Sequence, residues 1–338
     1  MARRDGKVET RLANLQALRH SGELTDVTAL ALKIWSRGER PEAVRVRIAY
    51  LRNAEFKAVA DERKPLPVAE RPLAARLIAP KGVALKFHLM QLFAAQCQAK
   101  PGKTWKSPYP VEPTPLESTC WMGLIAAGAK YEGPGIQVSS EAVNKRRQLT
   151  EALKKLETLR LVRRAPSKRG LPRGFALLCE NGGSTSAAPV PYTVPTPDES
   201  FIELPVDFFT RGWVQLLNTS EIVALLMWLD LLKFGGRVTT EKVPYAYVTG
   251  EDRQGWYGLG REAYETHQPL RAFGLLDVWR PEERYRDGKW ADYGRDDAAA
   301  LRCHRIFLEP GGMEYGAYDV ILAALKRRDA LGEWGRSL

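Results

Sequence analysis

Residues 144–148 read Asn-Lys-Arg-Arg-Gln, five successive side chains that all carry hydrogen-bond donors. Arg and Lys suit the acceptor edge of guanine, and Asn and Gln match the mixed donor–acceptor edge of adenine. Asn144, Lys145, Arg146, Arg147 and Gln148 are therefore candidates for reading base edges in the major groove of a duplex. Further on, Ser167, Lys168, Arg169 and Arg173 form a second group, suited to phosphate or minor-groove contact. Across residues 139–173 there are 11 Lys and Arg against 3 Glu, a net of +8. A weaker version recurs later as Arg261, Tyr264, His267, Gln268 and Arg271. A charge run is usually a solvated face, so the placement of these residues has to argue for more.

The surrounding pattern supplies that placement. Ser139 or Ser140 can cap a helix, with Glu141 in its first turn, where the helix dipole favours a carboxylate. The helix runs to about Leu159, with Val143, Leu149, Leu153 and Leu156 as its inner face. A strand at 161–165, a basic loop from Pro166 to Pro172 and a second strand at 174–178 follow. Upstream, the spacing predicts a helix over 83–99, a Pro-rich loop from Pro101 to Pro115 and a short helix over 116–127 ending at Gly128. The candidate base readers then occupy the N-terminal half of a helix, and the second basic group occupies a hairpin.

The remaining elements are read in the same way. At the start, helices are predicted over 10–22 and 25–37, the second stopped by Gly38. Pro41 opens a third helix with Val44, Ile48 and Leu51 on one face, and residues 61–82, with four prolines, form a connector. These short helices could be a cap, a dimerisation arm or a DNA-binding unit. Residues 181–200, rich in Gly, Ser, Thr and Pro, read as a linker. Thr219 then caps the apolar helix SEIVALLMWLDLLKF. A helix over 260–273 is kinked by Pro269 and closed by Gly274. Strands at 275–280 and 304–310 flank a hairpin with the turn signal Asp287-Gly288. A last helix at about 317–330 places Tyr318, Ile321, Leu322 and Leu325 on one face, to dock on the body of the protein or on another subunit.

The 338 residues suffice for two or three domains, and 44% hydrophobic with 27% charged residues excludes wholesale disorder. The net charge of +11 is unevenly spread. Residues 1–180 hold 33 Lys and Arg against 17 Asp and Glu, a net of +16, whereas residues 181–338 hold 18 against 23, a net of −5. One half is built to meet a polyanion and the other is not. No run reaches about 18 apolar residues, so no membrane span is expected. The charged start, Met1-Ala2-Arg3-Arg4-Asp5, lacks a following apolar stretch, which points to a cytoplasmic, nucleoid-associated protein. Cys97, Cys120, Cys179 and Cys303 are widely spaced and read as buried thiols.

Several motif look-alikes fail on context. GLGREA at 258–263 follows no apolar strand, and PGKT at 101–104 lacks both a preceding strand and the first glycine of a phosphate loop, whose place is taken by Cys97. Cys303 and His304 are neighbours on a predicted strand and point to opposite faces. His88, Trp121, Trp228 and Trp279 sit among apolar neighbours and read as packing residues. No Ser/His/Asp or paired-carboxylate arrangement stands out, so neither catalysis nor a cofactor is expected.

Both halves read helix, shorter helical segment, helix, strand, charged hairpin, strand. The helix-to-strand junctions LKKLETLRLVRR and LRAFGLLDVWR resemble the winged-helix superfamily over roughly residues 83–180 and 201–310. Two such units in one chain resemble plasmid replication initiators and mobile-element regulators, as does the opening FIELPVDFFTRGWVQLLNTSEIVALLMWL. The resemblance implies an α+β, mainly helical fold. Its parts would be an N-terminal helical segment and connector (1–82), a basic winged helix (83–180), the linker, a second winged helix (201–310) and a C-terminal helix (311–338). It implies a sequence-specific double-stranded DNA-binding regulator of transcription or of plasmid or mobile-element maintenance. The alternatives are a replication initiator that recruits a replication protein and an adaptor that binds protein. In the second unit, residues 251–297 hold 11 acidic against 8 basic residues. Either that unit pairs subunits into a homodimer through 201–338, or it reads a second half-site with Arg261, Tyr264, Gln268 and Arg271 while its acidic wing points away.

Overall fold

Two helices are buried almost all the way round, and the rest of the chain is arranged to cover them. The computed structural model describes residues 2–58, 66–80, 82–115, 119–126, 141–166, 174–238, 242–279 and 303–327. In chain order the helices are α1 (Ala2–His20), α2 (Glu23–Arg37), α3 (Ile48–Leu51), α4 (Leu73–Arg76), α5 (Ala84–Gln98), α6 (Glu141–Thr158), α7 (Asp207–Thr210), α8 (Trp213–Leu216), α9 (Thr219–Gly235), α10 (Gly250–Tyr257), α11 (Arg261–Glu265), α12 (His267–Ala272) and α13 (Ala317–Lys326). The strands are β1 (Ala43–Arg47), β2 (Val162–Arg164), β3 (Phe175–Leu177), β4 (Phe201–Pro205), β5 (Arg237–Val238), β6 (Pro244–Tyr245), β7 (Leu276–Trp279) and β8 (Arg305–Leu308). They form antiparallel pairs, β1 with β4, β2 with β3, β5 with β6 and β7 with β8. The fold is α+β and mainly helical, as expected.

In α5 every residue except Lys86 and Gln98 is buried, and in α9 the run Glu221–Trp228 is buried throughout. A helix without a polar face needs cover on all sides. For α5 that cover comes from α2, α6, α8 and β1. The start of α9 is fixed by a capping box between Asn218 and Glu221, so Asn218 is the cap and not Thr219. The Thr219 hydroxyl instead donates to the Ala79 carbonyl (3.0 Å) and accepts from the Ala79 N–H (3.1 Å). The apolar face of α13 (Ala317, Ile321, Ala324, Leu325) is covered within the chain, where α13 packs on α1 and α8. The argument for a dimer from uncovered residues on this helix is thereby removed.

The third N-terminal helix expected from Pro41 is not formed. Residues 43–47, Ala-Val-Arg-Val-Arg, alternate with period two and form β1, followed by the single turn α3. Val44 and Val46 are fully buried opposite Leu204 and Ile202 of β4. The partner strand lies about 150 residues away, so only tertiary pairing decides between the two periodicities.

The stretch 181–200 is not a free tether. Tyr192 and Val194 are buried, the Tyr192 N–H bonds the Leu177 carbonyl (3.1 Å), and Val194 exchanges hydrogen bonds with Gly102 and Lys103 (2.8 and 3.0 Å). Because β1 pairs with β4, a strand from before this stretch and one from after it share a sheet. A single buried apolar cluster runs from Val8 to Leu325.

The break expected at Pro269 appears as two short helices, α11 and α12, meeting at Thr266. Pro269 falls in the first turn of α12, where a missing N–H costs little. Helix α10 was not expected. Its buried residues are Arg253, Gln254, Gly255 and Tyr257, which leave no apolar period to read. The expected short helix at 116–127 appears as a 3-10 turn, Trp121–Leu124, with residues 116–118 and 127 outside the described set. The Ser139 and Ser140 caps and the Asp287-Gly288 turn also lie outside the described residues.

Candidate nucleic-acid interface

Helix α6 packs on α5 through Leu149, Leu153 and Leu156, all fully buried, and passes through Leu159 and Leu161 into β2. This seat fixes which predicted residues face outward. Val143 does not belong to the inner face; it is 56% exposed. Its place is taken by Asn144, 6% exposed, so the Asn144 amide is packed inward. The cause is helical geometry. Asn144, Gln148 and Ala152 share a side at four-residue spacing with the leucine face beside them, whereas Val143, Arg147 and Lys154 share the opposite side.

The remaining candidates divide further. Lys145 Nζ lies 2.5 Å from Glu23 Oε1, with both side chains largely covered, so Lys145 anchors α6 to α2. Arg146 is 57% exposed and pairs with Glu112 at 2.7 Å. Arg147 is exposed and makes no ion pair among the described residues. Gln148 is half-buried. Lys168, Arg169 and Arg173, with Ser167, lie outside the described residues.

Three cations beyond the predicted set extend the outward face: Lys154, Lys155 and Arg163. Lys154 bonds Glu151 at 2.8 Å on an exposed surface. The signal for Lys154 was in the sequence, since a residue seven after Arg147 returns to the same side after two turns. Arg163 points out from β2 between buried Val162 and half-buried Arg164, and Arg164 is tied back to Glu157. Burial pushes the Glu157 carboxyl up, but its hydrogen bonds to Arg164 outweigh that and hold it below its ordinary value.

The second unit presents much less. Arg261 is exposed but pairs with Glu265 (2.9 Å), and Arg271 lies 3.4 Å from Asp277. Tyr264 is turned inward: its hydroxyl is 3.0 Å from His304 Nδ1, and the Arg253 guanidinium sits 5.2 Å from its ring centroid. His267 is buried and Gln268 half-buried. The acidic hairpin between β7 and β8, from Glu282 to Asp297, lies outside the described residues.

Of the residues set aside as packing groups, Trp121 and Trp228 are fully buried. His88 is buried too, with Nδ1 3.1 Å from the Tyr50 hydroxyl. Trp279 departs from that expectation. It is 42% exposed on an edge of β7, with Arg305 lying 4.5 Å over its ring. Cys97, Cys120 and Cys179 are buried thiols, whereas Cys303 is half-buried. Among the described residues, no group of three or more His, Cys, Asp or Glu could hold a metal ion, and no helix is long and apolar enough to cross a membrane. Compared with protein-family models, with curated proteins and with solved structures, the chain matches none.

Proposed function

We propose that this chain binds double-stranded DNA in a sequence-specific way and acts by binding, not catalysis, as a regulator of transcription or of plasmid or mobile-element maintenance. The observation that carries this reading is the outward side of α6. There Arg146, Arg147, Lys154 and Lys155 are exposed, and Arg163 continues them toward an antiparallel β2–β3 hairpin. A helix of this kind fits the major groove, and a hairpin beside it suits the phosphate backbone. These five cations lie in the half of the chain with a net charge of +16.

The refined reading moves the base-facing role onto Arg146 and Arg147. Asn144 is packed inward and Lys145 is held by Glu23. The Arg146–Glu112 pair is exposed and screened by water, so a guanine edge or a phosphate can replace Glu112 at little cost. Selection of bound sequences from random duplex DNA, followed by titration at several salt concentrations, tests the proposal. A recovered consensus with affinity that falls steeply with salt is the expected result. Absence of salt-sensitive binding would favour a protein-binding adaptor. A consensus of directly repeated sites would favour a replication initiator.

A further inference from the structure

A cleft of about 460 Å3 opens where the chain after β1, the α4 region, the end of α6 and the start of the 181–200 stretch come together. Four of its lining residues are arginines, Arg52, Arg71, Arg76 and Arg160, and none of the described residues that line it is a carboxylate. The volume is that of a small-molecule pocket, in the range of about 300–1,000 Å3. We infer that this cleft is a binding site for a small phosphorylated molecule, separate from the DNA-facing side of α6 and not resting on that reading.

Three of the four guanidinium groups are held by one edge. The Arg71 Nε–H donates to the Leu66 carbonyl at 2.7 Å. Arg160 Nη1 donates to the Ser184 carbonyl at 3.4 Å. Arg52 lies over the Trp256 ring, with Nη1 3.6 Å from Asp230 Oδ2. Among the described residues, Arg76 Nε is buried without an acceptor. Asp230 is the single carboxylate paired with any of the four among the described residues, so three positive charges share the cleft uncompensated. Planar guanidinium forks match the oxygens of a phosphoryl group, and several of them converging in a concave site favour one with multiple negative charges.

The backbone supports the same reading. Helix α6 ends in a Schellman motif: the Leu161 N–H bonds the Leu156 carbonyl and the Arg160 N–H bonds the Glu157 carbonyl, both at 2.9 Å. The left-handed residue of that motif is Arg160, at φ 58°, where glycine is the preferred residue. An arginine here works against the cap and places a cation in the cleft. Next to Arg71, Gly258, at φ 63°, lies so close that a Cβ would sit 2.8 Å from the Arg71 stem. The site is also set apart from the base-facing Arg147, since Arg147 and Arg160 are 13 residues apart, about 20 Å along a helix.

Calorimetric titration of the full chain with inorganic pyrophosphate tests the inference, with chloride at equal ionic strength as control. Saturable one-site binding is expected, weakened at least tenfold by Arg160→Gly and by Arg76→Gln and unchanged by Arg147→Gln. Arg160→Gly restores the preferred cap residue, so its melting temperature should not fall, which separates binding from folding. Heat no larger than that of chloride overturns the inference, as does equal loss of binding in Arg147→Gln. If saturating duplex DNA displaces pyrophosphate and Arg160→Gly weakens DNA binding by the same factor, the cleft is a backbone-phosphate contact and the small-ligand site is refuted.

Discussion

Arg47 and Glu180 face one another in the interior, with Nη1 3.1 Å from Oε2, and the two side chains are 5% and 0% exposed. The same guanidinium reaches Glu199 through Nε (2.5 Å) and the Thr193 carbonyl through Nη2 (2.9 Å). One arginine of β1 therefore ties the end of the β2–β3 hairpin to the stretch that leads into β4. Burial raises the Glu180 carboxyl above its ordinary value against the pull of Arg47. Hydrogen bonding to Arg47 holds Glu199 below its ordinary value. Burial alone would lower Arg47, but its two carboxylates outweigh that and keep it charged.

Replacing this arginine leaves Glu180 buried without its partner. Arg47→Met should destabilise the chain by about 3–5 kcal/mol, the range for breaking one side of a buried pair. Glu199→Gln should cost less, because Glu199 is 36% exposed and water can replace part of what is lost. Urea unfolding of the two variants compares them directly, and equal small losses would show that the pair contributes little.

Acid should weaken the fold through a buried histidine. Burial lowers the His88 pKa from 6.5 to about 3, so the unfolded chain takes up a proton there that the native chain refuses. Stability from this group is complete above the unfolded value and falls as pH drops from 6.5 toward 3. The slope approaches about 1.4 kcal/mol per pH unit. The raised Glu180 carboxyl works in the opposite direction, favouring the native chain on acidification, so the His88 contribution is read as the difference between the native sequence and His88→Gln. Unfolding free energies of the native sequence and of His88→Gln between pH 6.5 and 5 check this, and a slope that His88→Gln leaves unchanged would show that the imidazole titrates normally.

The outward side of α6 separates two kinds of loss. Arg147→Ala should reduce discrimination among duplex sequences by about 1–3 kcal/mol, the value of a bidentate base contact. Lys155→Ala and Arg163→Ala should weaken all sequences alike and lower the salt slope by about one per residue removed. Asn144→Ala should leave specificity intact and lower the melting temperature, because its amide is packed against the body. Binding curves on matched and mismatched duplexes, with thermal melts, distinguish these outcomes.

Helices with a strong apolar period were legible: α2, α5, α6 and α9 fall within a few residues of their predicted spans. So were the β2–β3 and β7–β8 strand pairs, which follow their helices directly. What sequence could not supply was the partner of β1. Val44 and Val46 fit a strand as well as Val44, Ile48 and Leu51 fit a helix, and the pairing that decides comes from residues 201–205. The site was half legible for a similar reason. The composition of residues 144–148 marks a donor-rich turn, but which donors point outward depends on the seat of α6 against α5. That seat turns Asn144 inward and gives Lys145 to Glu23.

The charge division at residue 180 invites cutting the chain there, and the structure argues that the two halves need each other. Strand β1 would lose β4, leaving Val44 and Val46 uncovered. Arg11 would lose its paired bonds to Glu221 (2.6 and 2.9 Å), and Lys86 its bond to the Gln215 carbonyl (2.6 Å). The exposed tip Thr185–Ala188 can be cut without disturbing any of these contacts, and small polar tips of this kind are preferred sites of nicking. A chain nicked within 185–188 should therefore remain one particle on gel filtration and keep its DNA affinity. Fragment 1–180 produced alone should show no cooperative melt. A cooperative melt together with full DNA affinity in 1–180 alone would show that the basic half folds independently, and that the β1–β4 pairing and the Arg11–Glu221 bridge are dispensable to it.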